Sequence, residues 1–206
     1  MRRWFSRMIF LGAIAAWQLS AGTISGDTTG TTLAGAEYYW GVNFLTPTPA
    51  GVAAWNSLTF NFYAGSDAAT ATAAGTLYLL SSSYTGAPNA LSTVNTASGL
   101  IASTSTVSGG VWDFGSSVTV TPGTQYWVFE DTALPETIRG LGTGPENVYY
   151  TSDPAVAFGS LAGSVNYNFS GSPVGDDDGS EDTPEPTTLL LMAPALLLVL
   201  RRSLTR

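Results

Sequence analysis

Cysteine, histidine and lysine are all absent from this 206-residue sequence. Without Cys there is no disulfide framework. Without His and Cys, zinc fingers, Cys–His nucleophiles, haem–His ligation and Ser-His-Asp triads are unavailable. Without Lys there is no Schiff-base chemistry and no phosphate-loop lysine. Such a chain must be held by core burial or by bound ions. Positive charge is scarce too. All seven bases are Arg, and six stand at the ends: Arg2, Arg3, Arg7, Arg201, Arg202 and Arg206. Between residues 8 and 200 Arg139 is the only base, and the formal net charge is -8. That distribution has no electrostatic footprint for nucleic acid. Charged residues make up only 11%, while Gly numbers 23. A surface built from small polar residues fits a β-rich exported protein and disfavours a helical bundle.

The N-terminus reads as an address. A positive stretch, Met1–Arg7, precedes ten apolar residues, Met8–Trp17, and a small-residue exit at Ser20, Ala21 and Gly22. Ten residues are too few for a spanning helix, which needs about 20, so residues 1–22 are expected to be a secretory signal peptide. Its expected partner is signal peptidase, with cleavage after Ala21 or Gly22.

The C-terminus has three parts in order. Residues 176–183 begin with the acidic run Asp176–Asp182 and read as a flexible linker. Residues 184–206 hold Pro184, Glu185 and Pro186, an apolar segment at 187–200, and a terminal cluster that includes Arg201 and Arg202. A helix over 187–200 would measure about 21 Å, short of a hydrocarbon core of about 30 Å. Arg201 and Arg202 act as a membrane stop by snorkelling, and the positive-inside rule places them in the cytoplasm. Pro194 interrupts the helix, so the hold on the inner membrane is expected to be transient. This arrangement resembles the PEP-CTERM sorting signal of Gram-negative bacteria. The resemblance implies recognition by exosortase, cleavage near Pro184-Glu185-Pro186, and release to the cell surface or the extracellular matrix of a biofilm.

Residues 23–175 are the size of one domain, expected to bury roughly 68–70% of the unfolded surface. Strand signals in it are short and frequent. Leu58, Phe60 and Phe62 alternate with Thr59, Asn61 and Tyr63; Val118 and Val120 alternate with Thr119 and Thr121; Val165, Tyr167 and Phe169 alternate with polar residues. A period of two with one polar face predicts half-buried antiparallel strands. Gly75–Leu80 and Thr124–Glu130 are more continuously apolar and read as central strands. Tyr38–Phe44, Leu100–Val107, Val111–Phe114 and Asn147–Thr151 bring the expectation to about nine. Pro122-Gly123 predicts a tight hairpin, Gly86–Asn89 a turn, and the Ala-rich stretch Asp67–Ala74 a loop. The expected fold is all-β, a two-sheet antiparallel β-sandwich of jelly-roll type. The run from Tyr39 to Trp127 is similar to the sandwich ectodomains found ahead of PEP-CTERM tails.

Candidates for chemistry are few. A glycosidase needs two carboxylates in a cleft, and among Asp27, Glu37, Asp67, Asp113, Glu130, Asp131, Glu136, Glu146 and Asp153 no spacing selects a pair. Glu130 and Asp131 adjoin at a strand end and are expected to point to opposite faces. Asp113 lies between Trp112 and Phe114, a setting that can raise a carboxyl pKa. Asp176–Asp182 departs from a calcium-loop register, with Val174 where the first ligand would stand. Asp113, Asp131 and Asp153 are candidate ligands for structural calcium. Arg139 is expected to pair with an acid such as Glu136. Most aromatics fall on core-facing strand positions. Trp112, Tyr149 and Tyr150 are the ones expected to be exposed and able to stack on sugars. Ser81–Thr85, Ser103–Thr106 and Asp27–Thr32 read as polar strand faces and loops, with O-glycan attachment as the competing reading.

The sequence therefore predicts a non-enzymatic, exported structural or adhesive protein. A carbohydrate-binding module for exopolysaccharide is the second reading, and a carboxylate-based glycoside hydrolase the third.

Overall fold

The structure is a computed structural model, and it describes residues 22–27, 32–33, 37–64, 70–134, 138–140 and 142–175. The signal-peptide and sorting-signal assignments lie outside these residues, except for Gly22. The chain divides into two units, 1–175 and 176–206. Among the described residues the first holds fourteen strands. They are β1 (Gly22–Asp27), β2 (Thr32–Leu33), β3 (Tyr39–Leu45), β4 (Val52–Tyr63) and β5 (Ala71–Thr72). Next come β6 (Leu77–Leu80), β7 (Leu100–Thr104), β8 (Val107–Ser108), β9 (Val111–Gly115) and β10 (Gln125–Glu130). The last are β11 (Arg139–Gly140), β12 (Gly142–Thr151), β13 (Gly159–Ser164) and β14 (Tyr167–Gly175).

Two six-stranded sheets carry the fold. Sheet one runs β1-β14-β4-β9-β8, with β5 added to β4; sheet two runs β13-β12-β3-β10-β6-β7; β2 pairs with β11 separately. Every pairing is antiparallel. The architecture is thus all-β, with two sheets packed face to face as a sandwich. Among the described residues no helix is long and apolar enough to cross a membrane.

The alternation in the sequence explains the main layer. Leu58, Phe60, Phe62, Val165, Tyr167 and Phe169 turn inward from sheet one and are fully buried. They meet Trp40, Val42, Phe44, Leu77, Leu79, Tyr126 and Val128 from sheet two. Phe44 packs at a tilt on Phe169, 4.6 Å between ring centroids, and Phe60 stacks on Tyr167 at 5.6 Å. Offset and edge-on aromatic pairs of this kind add roughly 0.5–1.5 kcal/mol each beyond burial. Gly75–Leu80 behaves as its continuous apolarity implies. Leu77 and Leu79 enter the inner layer, while Tyr78 and Leu80 enter a second cluster on the outside of sheet two.

That outer cluster has its own cover. Phe129 contacts Tyr149, Phe158 and Tyr84 at 5.1, 4.9 and 5.5 Å between ring centroids. Two segments are pinned over it: Asn89 N–H donates to Pro154 O at 3.0 Å, and Phe158 N–H donates to Gly86 O at 3.1 Å. The turn expected at Gly86–Asn89 opens a 3-10 helix, Pro88–Thr93, whose Leu91 is buried in this cluster.

Four strand-level expectations are corrected. Leu100–Val107 is divided between β7 in sheet two and β8 in sheet one, since the chain crosses the sandwich there. In the stretch read as a loop at Asp67–Ala74, Ala71–Thr72 form β5 against Phe62 and Tyr63. Ser117–Thr121 is no regular strand: only Val120 bridges, to Trp55 of β4. Pro122-Gly123 is therefore no hairpin but a crossing from sheet one to sheet two. Gly123 has φ +66°, the left-handed conformation that glycine adopts without strain. Thr46 fastens this crossing. Its hydroxyl donates to Thr121 O at 2.7 Å and accepts from Thr124 N–H at 3.0 Å. Both bonds compete with a two-strand ladder and hold the turn against β3 instead.

Candidate functional site

Sheet two presents two chemically different faces. Residues directly opposite on antiparallel strands share a face. Trp127 stands opposite Asn43, Gln125 opposite Leu45, and Tyr149 opposite Gly41. These side chains point outward, away from sheet one. Trp127 and Tyr149 are half-buried against the outer cluster, Gln125 is exposed, and Leu45 is 63% exposed. The indole Nε1–H of Trp127 donates to Tyr149 Oη at 3.3 Å, which fixes the two rings relative to each other. Asn43 Oδ1 accepts the backbone N–H of Asn147, so the amide is locked beneath them.

Gly41 makes room for this arrangement. A Cβ there would lie 2.4 Å from Phe129 Cδ1, so the Phe129 ring lies across β3 where only glycine leaves space. Along β3, β10 and the 147–151 part of β12, no outward position carries a charge.

The acid within β10 turns inward instead. Glu130 follows Tyr126 and Val128 on the core face and is 0% exposed. Its Oε1 accepts the backbone N–H of Trp40 at 2.8 Å, and its Oε2 has no hydrogen-bond partner. Burial pushes the carboxyl well above the usual carboxylate range; the Trp40 N–H pulls it down in part, and the Asp131 charge adds to the rise. Asp131 takes the other face, as expected. Its Oδ1 accepts Thr76 N–H at 2.8 Å and its Oδ2 accepts Tyr78 O–H at 3.3 Å. Glu146 is half-buried with Oε2 unpartnered; burial raises its carboxyl, its own backbone N–H lowers it, and Asp27 raises it further. Beside these two, Tyr167 is buried with its hydroxyl 2.8 Å from Ser25 Oγ, and burial raises it strongly.

The three residues expected to stack on sugars are not brought together. Trp112 is fully buried, which corrects the expectation of exposure. It packs between Phe60 and Phe62 at 6.2 and 6.1 Å, and its Nε1–H donates to Gly75 O at 3.1 Å. Its neighbour Asp113 takes the solvent side, where Oδ1 accepts Gly115 N–H at 2.7 Å. Tyr149 and Tyr150 are consecutive and face opposite ways. Tyr149 joins the outward face; Tyr150, 38% exposed, packs on Tyr38 and Trp40 at 6.0 and 5.9 Å. Trp127 was absent from the expected set. Its signal is local: in Tyr126-Trp127-Val128-Phe129 one aromatic pair must face out if the strand is covered on both sides.

The candidate calcium ligands are not brought together: Asp113 and Asp153 each serve their own turn, Asp153 Oδ1 accepting Ala155 N–H at 2.8 Å, while Asp131 is held by Thr76 and Tyr78. Among the described residues no group of three or more acidic side chains is placed to hold a metal ion. Arg139 stands in β11 opposite Leu33, and its expected partner Glu136 lies outside the described residues, as do Asp176–Asp182, Pro184, Glu185, Pro186, Arg201 and Arg202. No protein family, curated protein or solved structure matches the chain.

Proposed function

We propose that this chain is an exported structural or adhesive protein of the cell surface or extracellular matrix, sorted and processed by exosortase. The observation that carries the reading is the order of the C-terminus: Pro184-Glu185-Pro186, the apolar segment 187–200, then Arg201 and Arg202. An acidic stretch, 176–183, stands between this signal and β14, which ends at Gly175. Such a spacer keeps the motif accessible to a membrane-bound protease. Residues 1–22 act as the signal peptide and 187–200 as a short helix that holds the inner membrane transiently. Cleavage after Ala21 leaves β1 whole, whereas cleavage after Gly22 removes its first residue. The sandwich is of jelly-roll type in this reading, a rigid body that presents its sheet faces to the matrix.

The role is non-catalytic. The carboxyl most strongly driven towards its protonated form, Glu130, is sealed in the core and has no route to a substrate. The test is deletion of residues 184–206 in an exosortase-bearing host. The truncated chain should stay folded and change its final location by cell fractionation. The reading is wrong if the truncated and full chains reach the same surface fraction.

A further inference from the structure

We propose that the outward face of sheet two, centred on Trp127 and Tyr149, binds a neutral polysaccharide. This rests on the reading of the chain as a surface or matrix protein and names the ligand class of that protein's exposed face.

Four observations converge on it. The Trp127 N–H is already used by Tyr149 Oη, so the indole has only its ring to offer a ligand. Tyr149 Oη accepts in that bond, and its own hydrogen is left to donate outward. The exposed Gln125 amide, two residues along β10 from Trp127, supplies both donors and an acceptor. Leu45 extends the apolar floor beside it. A pyranose ring has an apolar C–H face for stacking and an equatorial rim of hydroxyls that both donate and accept, which is the complement of this set.

The charge pattern selects the class. The face has no cation to pair with an anionic polymer, and the chain as a whole is at -8. For a cationic polymer it offers only Asp131, past the end of β10 and already held by Thr76 N–H and Tyr78 O–H, because Glu130 is turned into the core. A neutral glycan meets no uncompensated charge. Two half-buried rings held by one hydrogen bond are also pre-organised, so little side-chain freedom is lost on binding.

The test uses the full chain in mild detergent, run through native gels containing a neutral glucan, a galactomannan, alginate or chitosan. Retardation is expected in at least one neutral gel. Trp127→Ala should weaken it by at least about tenfold in apparent Kd, the loss typical of a central aromatic anchor. Trp127→Phe keeps a ring and should retain most of it. Tyr150→Ala, on the opposite face, should leave it unchanged. Leu45→Glu at an exposed position adds a charge diagonal to Trp127 and should abolish it, which keeps the test decisive if Trp127→Ala unfolds. The proposal is overturned by free migration in every neutral gel, by retardation in charged gels alone, or by equal retardation of folded Trp127→Ala. It is also overturned if light scattering finds a dimer that Leu45→Glu dissociates, which would make the face a protein interface. A chain that reaches the surface by fractionation yet runs freely in all gels refutes the glycan site while the sorting reading stands.

Discussion

Glu130 makes folding depend on pH, and replacing it with Gln should remove that dependence. In the folded chain Oε1 accepts the Trp40 N–H at 2.8 Å and Oε2 is buried without a partner. Burial favours the protonated carboxyl and raises it well above its ordinary range. In the unfolded chain the same carboxyl ionises normally. Folding then takes up a proton. This group's contribution is fully present below the unfolded pKa and is lost as pH rises towards the folded one. Within that window stability falls by about 1.4 kcal/mol per pH unit. Gln has the same shape, its Oε1 still accepts from Trp40, and it titrates in neither state. Its Nε2 replaces one unpartnered buried group by another, so the two proteins should be nearly equal in stability at pH 4. Above pH 5 the Glu130→Gln variant should become progressively more stable than the parent, by about 1.4 kcal/mol for each pH unit inside the window. Urea unfolding of residues 22–175 at intervals from pH 4 to 8 measures the difference directly. Glu146 also rises on burial and tilts the parent curve the same way, so the difference between the two curves is the quantity to read. Parallel curves across the range would refute the reasoning, because they would mean that Glu130 is ionised in the core. Glu130→Leu provides the converse: at pH 4 it should cost about 1–3 kcal/mol by leaving the Trp40 N–H buried and unpaired.

Other perturbations follow from single contacts. Thr46→Val removes the hydroxyl that both donates to Thr121 O and accepts from Thr124 N–H at the sheet crossing, and should cost about 1–3 kcal/mol in a urea titration. Ser57 sits at a β-bulge in β4 with φ +49°, exposed, so Ser57→Gly should raise stability by up to about 1 kcal/mol, seen as a higher thermal midpoint. Gly41→Ala places a methyl 2.4 Å from the Phe129 ring and 2.8 Å from Val128 O, and should cost about 1–3 kcal/mol while loosening the Trp127–Tyr149 pair, read by near-UV circular dichroism.

The faces of the main strands were legible because a period of two needs no knowledge of partners. Leu58, Phe60 and Phe62, and Val165, Tyr167 and Phe169, could be assigned inward from alternation alone. The continuous apolarity of Leu77–Leu80 likewise implied cover on both sides. The site was less legible. Trp112 alternates with the charged Asp113, a pattern that already argues for a buried indole. In β10 the same reasoning misleads, because Glu130 shares the inward face with Tyr126 and Val128. A buried acid is paid for by interactions that lie far along the chain: the Trp40 N–H is 90 residues away.

The sequence by itself determined the class of fold, the placing of most strands and the excluded chemistries, since these depend on composition and local spacing. Only the tertiary structure decided which strands pair, that Pro122-Gly123 crosses between sheets, and that Trp127 faces out with Glu130 turned in. Each of those outcomes is set by contacts between distant segments, and a one-residue change of register would reverse every face assignment at once.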